Sequence, residues 1–79
     1  MDSKLASVLA SVFGINVADV TLSLSKADVP NWDSLKQMDL VTSIESEYDL
    51  TLELMDIVLM TSVDAIVKIL VEKGVALEH

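Results

Sequence analysis

Apolar residues recur at helical spacing in three separate stretches of this chain, and that periodicity limits its folds more than any other feature. Leu5, Val8, Leu9, Val12 and Phe13 follow the i, i+3, i+4, i+7, i+8 template, with Lys4, Ser7 and Ser11 opposite and Gly14 placed to end the helix. A second helix is predicted from Asp33 or Ser34 to about Tyr48, where Leu40, Val41, Ile44 and Tyr48 gather in one core-facing arc. In a last helix, capped by Thr61 or Ser62, Val63, Ile66, Val67, Leu70 and Val71 repeat the pattern up to Gly74. A chain of 79 residues without cysteine has no disulfide or thiolate site to hold it, so helix packing is what remains.

The segments between are less regular. Residues 15 to 31 form a long connection in which Val20, Leu22 and Leu24 alternate with polar residues. No second strand-like run offers itself as a partner, so the expectation is a loop pinned to the core by those three side chains, with Pro30 biasing Val29 away from helix. The stretch "LELMDIVLM", residues 52 to 60, reads as a short helix with little polar surface. Deep packing is expected for it; a lining for greasy cargo or an association surface are the alternatives. One domain over residues 1–76 follows, with four helices around one core. Leu77-Glu78-His79 reads as the remnant of an expression tag.

Composition removes several function classes. The only histidine is His79, and there is no cysteine or arginine, so general bases, metal ligands and nucleophile partners are scarce and an enzyme is not expected. Five lysines against thirteen acids give a formal charge of -8, which repels nucleic acid and anionic lipid and favours basic protein surfaces. No D-x-D-x-D-G loop is present, and no metal is expected. The N-terminal apolar run is interrupted at helical spacing by Ser7 and Ser11, and Asp2 cancels Lys4, which argues against a secretory signal. No run reaches membrane-spanning length, so the expectation is a cytoplasmic protein without membrane insertion.

The stretch "VPNWDSL", residues 29 to 35, raises the functional question. Ser34 followed by Gln37 satisfies the capping-box pattern, and Asp33 is an equally good N-cap, so a purely structural role is sufficient for those residues alone. That role explains neither the long connection before the serine nor the apolar residues around it. Leu35 falls nearly opposite the core arc, and Met38 lies on its shoulder.

The stretch "WDSLKQMDLVTSIESEYDL" resembles the central helix of the acyl carrier protein family, the phosphopantetheine-binding carriers of thioester pathways. The likeness runs over residues 3 to 74: an amphipathic first helix, a long loop, D-S-L opening an acidic second helix, the Tyr48-Asp49 pair, a short third helix and a "TSVDAIV" fourth. It implies an all-α, four-helix bundle of the carrier type. It also implies a 4'-phosphopantetheine arm drawn from coenzyme A and attached to Ser34, flanked by Asp33 and Leu35. Cargo would ride as a thioester, in fatty-acid, polyketide or related biosynthesis. Implied partners are a phosphopantetheinyl transferase and acyl-loading and acyl-transferring enzymes with basic docking surfaces, meeting Leu35, Lys36, Met38, Asp39, Thr42, Glu45 and Glu47 on a monomer. Trp32 stands where many carriers have glycine and Lys36 where they have an acid, which puts a standard partner set in doubt and resembles a specialised stand-alone member. The alternative is an acidic helical interaction module on the same scaffold without the arm.

Overall fold

The side chain of Asp2 accepts the Leu5 N–H at 2.9 Å and opens α1, Ser3–Phe13. Gly14, at φ 69°, closes it in the left-handed conformation that glycine adopts without steric cost, returning its N–H to Ala10 at 2.8 Å. In this computed structural model, which describes residues 1–77, a 3-10 turn at Val17–Asp19 follows. Three further helices complete the order: α2, Ser34–Tyr48; α3, Leu54–Leu59; and α4, Val63–Glu72. The described residues are all-helical, with no strand, and form a small helical bundle. None of these helices is long and apolar enough to cross a membrane. Of the expected tag remnant, Leu77 packs partly against the core, and Glu78 and His79 lie outside the described residues.

One core joins α1, α2 and α4. Leu5, Leu9, Leu40, Ile44, Met60, Val63, Ile66 and Leu70 are fully enclosed, and burial of a side chain of that size stabilises by roughly 1.5–3 kcal/mol. The arc expected on α2 is buried at Leu40, Val41 and Ile44, while Tyr48 at its end is half-buried. On α4 the expected stripe is turned by one position. Ile69 is buried and Val71 is exposed, because the buried arc of this helix is centred between Val63 and Ile66 rather than toward Val67.

The long connection is pinned differently from expectation. Val20 is buried and Leu24 half-buried, but Leu22 is exposed and holds through its backbone instead. Its carbonyl accepts the Asp64 N–H at 3.2 Å, and the Leu24 carbonyl accepts the Val63 N–H at 2.9 Å. Lys26 donates to the Thr61 carbonyl at 2.9 Å, so Ser25 and Ser62 form an isolated antiparallel bridge. With the Ser62 hydroxyl accepting from Ala65 at 3.1 Å and the Ser62 carbonyl accepting from Ile66 at 3.1 Å, all four first-turn N–H groups of α4 are satisfied.

The segment 52–60 corrects the expectation of deep packing. Leu52 and Met60 are buried, but they flank α3 rather than belong to it. Within the helix no residue is buried, and Leu54, Met55, Val58 and Leu59 are 54–78 % exposed. The inward side carries Ile57 and, unexpectedly, Asp56, whose carboxylate meets Lys73 at 2.9 Å. A capping box between Glu53 and Asp56 closes the N-terminal turn.

Candidate functional site at the head of helix α2

The capping question at Ser34 is decided in favour of its neighbour. Asp33 is the N-cap of α2: its side chain accepts the Lys36 N–H at 2.9 Å, and its carbonyl accepts the Gln37 N–H at 2.8 Å. Ser34 is the first helical residue and is exposed, and among the described residues its hydroxyl has no hydrogen-bond partner. The N–H groups of Ser34 and Leu35 have no intrahelical acceptor at this position, in contrast to the fully satisfied first turn of α4. A serine also occupies the first position of α1, after the Asp2 cap, but Ser3 is followed by Lys4 and the buried Leu5. At Ser34 the next residues out are apolar and in solvent: Leu35 is 80 % exposed and Met38 54 % exposed.

The second half of the expected capping box is absent. Gln37 turns away from the helix end: its amide oxygen accepts the Trp32 indole N–H, and its amide nitrogen donates to the carbonyls of Ile57 at 2.8 Å and Met60 at 3.1 Å. The serine-to-glutamine spacing concealed this role, because i, i+3 suits a cap and a cross-link equally. Trp32 does not stand over the site. It is 4 % exposed and packs on Phe13, so the indole serves the core and the turn before Ser34 rather than the approach to it. The turn is closed by Trp32 N–H to Val29 carbonyl at 3.1 Å and Asp33 N–H to Asn31 carbonyl at 2.9 Å.

The other expected contact residues do not form one face. Lys36 is half-buried, and Asp39 and Thr42 are exposed. Glu45 is committed to structure, its carboxylate accepting the Leu52 N–H at 2.8 Å and fixing the turn into α3. Glu47 looks the other way, toward α1, with Lys4 at 3.7 Å. Thr42 and Glu47 share the lining of an open depression of about 500 Å³ with Ser7, Ser11 and Ser43, between α1 and α2. At the end of α2, Lys4 Nζ lies 4.8 Å from the Tyr48 ring centroid, and among the described residues the enclosed Tyr48 hydroxyl has no hydrogen-bond partner. Burial raises the Tyr48 pKa above its ordinary value, with the charges of Asp2 and Glu47 adding to the effect. Asp49, in the left-handed conformation at φ 51°, ends the helix.

Among the described residues no three His, Cys, Asp or Glu side chains gather in a group that could hold a metal ion. What the head of α2 offers chemically is an accessible hydroxyl next to open backbone donors, with apolar side chains beside it. No protein-family model matches the chain, and no curated protein matches its sequence.

Proposed function

We propose that this chain is an acyl carrier protein, bearing a 4'-phosphopantetheine arm on Ser34 and presenting thioester-bound cargo to partner enzymes. The observation that carries the reading is the division of labour between Asp33 and Ser34. Asp33 takes the capping hydrogen bond, which leaves the Ser34 hydroxyl exposed and without another duty. A phosphodiester there fits the site, because the N–H groups of Ser34 and Leu35 and the positive helix end stabilise an exposed anion by roughly 0.3–1 kcal/mol. The attached group would supply the thiol that this cysteine-free chain lacks. Leu35 and Met38 give a partner a small apolar hold beside the serine, and a net charge of -8 raises encounter rates with basic surfaces without slowing release. Of the proposed contact residues, Glu45 also braces the turn into α3 and Glu47 also pairs with Lys4 on α1.

The test is coexpression with a broad-specificity phosphopantetheinyl transferase followed by intact mass. One arm is expected on the wild-type chain and none on Ser34→Ala. Ser3, at the same position of α1, is an internal control that stays unmodified. A wild-type chain that remains unmodified overturns the carrier reading. The exposed apolar face of α3 would then favour an acidic interaction module on the same scaffold.

A further inference from the structure

A single side chain ties the turn before Ser34 to helix α3. Gln37 receives the indole N–H of Trp32, two residues ahead of Ser34, and gives its own N–H groups to the carbonyls of Ile57, in the last turn of α3, and Met60, its C-cap. The helix it holds has few other attachments. Leu52 and Met60 pin the chain on either side, Ile57 packs part-buried against the core, and Asp56 meets Lys73 with side chains 20 % and 24 % exposed. Six residues cannot sustain a helix in water by themselves, so the order of α3 depends on those few contacts. Segments with little buried apolar surface and polar anchors belong to the part of a protein that opens first.

We infer that α3 opens as a unit between its pinned ends, and that Gln37 couples this opening to the Trp32–Ser34 turn. When α3 leaves, the Gln37 amide loses the Ile57 carbonyl and keeps only the pinned Met60 carbonyl, so the rotamer that orients the acceptor of the indole N–H is no longer held from both sides. The coupling runs equally in reverse: a change that displaces Trp32 frees Gln37 and loosens α3. A partner that grips the exposed apolar side of α3 therefore shifts the turn that carries Ser34. The consequence for a modified serine rests on the carrier reading; the coupling itself is a property of the unmodified chain.

The experiment is a double-mutant cycle on the unmodified full chain, read by amide hydrogen exchange at residues 54 to 59 and by the Trp32 indole N–H resonance, with the α4 amides of Ile66 and Leu70 still protected. Asp56→Asn keeps an acceptor for the Glu53 N–H and removes the ion pair to Lys73. It is expected to speed exchange in α3 by at least about twofold and to move the indole resonance. Gln37→Glu keeps the acceptor for Trp32 and removes the donors to α3. In that background Asp56→Asn is expected to speed α3 exchange still and to leave the indole resonance in place. If the glutamate variant does not fold, Gln37→Met also removes the donors to α3, leaving Trp32 only a weak sulfur acceptor, and its own indole position is then the reference for the Asp56→Asn comparison. The inference is overturned if Asp56→Asn leaves α3 exchange unchanged, leaves the indole unmoved with Gln37 present, or moves it equally with Gln37 replaced. An unmodified Ser34 does not bear on this outcome, and failure of the cycle does not bear on modification.

Discussion

The rings of Phe13 and Trp32 lie 4.5 Å apart, centroid to centroid, and are tilted by 37°. This contact fixes the end of α1 against the turn that opens α2, so the position of the Ser34 turn is set by core packing. Trp32→Ala is expected to destabilise the fold by about 3–5 kcal/mol through the lost ring and the cavity left behind. Trp32→Phe retains a stacking ring but loses the second ring of the indole and the N–H donor to Gln37, for an intermediate cost of about 1–3 kcal/mol. Urea unfolding of the two variants checks the separation between them.

Asp33 and Ser34 are expected to part company under substitution. Asp33→Ala removes the carboxylate that accepts the Lys36 N–H and costs about 1 kcal/mol, whereas Ser34→Ala, at an exposed hydroxyl without a partner among the described residues, changes stability by no more than about 0.5 kcal/mol. A large loss for Ser34→Ala in thermal unfolding contradicts the assignment of the cap to Asp33.

The Tyr48 hydroxyl is enclosed without a partner among the described residues, and a buried donor left unsatisfied costs about 1–3 kcal/mol. Tyr48→Phe is therefore expected to stabilise the chain, by roughly 1 kcal/mol in denaturant unfolding, with the Lys4 contact to the ring kept. The raised tyrosine pKa implies that wild-type stability is full below the ordinary value of 10.0 and falls as pH rises through the folded value. The phenylalanine variant loses that contribution to the alkaline decline.

Asp56 and Lys73 set the pH window of α3. The Lys73 hydrogen bond, followed by the Glu53 N–H, holds the Asp56 carboxyl below its ordinary 3.8, and Asp56 in turn raises Lys73 above 10.5. For the acid, stability is present above 3.8 and is lost as pH falls through the lowered folded value. For the lysine, stability is present below 10.5 and is lost as pH rises through the raised one. Far-UV circular dichroism and exchange at residues 54 to 59 are expected to show α3 loosening at both extremes in wild type. Asp56→Asn is expected to be loosened across the range, with its acid-side dependence reduced.

Three helices were legible in the sequence because their apolar stripes persist over several turns and their ends carry recognisable caps: Gly14, Asp33 and Ser62. The exposure of Leu35 and Met38 followed from the same angular placement. Six residues are too few for periodicity to define a face, so the apolar letters of α3 suggested burial when the burial belongs to Leu52 and Met60 beside it. Ile69 and Val71 exchanged roles because a five-residue template fixes the existence of a stripe better than its rotation. Gln37 escaped notice for a different reason: its partners are carbonyls twenty and twenty-three residues away, and a backbone acceptor leaves no letter in the sequence.

The seam between the α1–α2 connection and the start of α4 carries a kinetic consequence. The acceptors for Val63 and Asp64 come from Leu24 and Leu22, roughly forty residues earlier in the chain, so the last helix cannot complete its opening turn until a long loop has closed. Nucleation is then favoured where α1 meets α2, and the carboxy-terminal rod is the latecomer that locks the assembly.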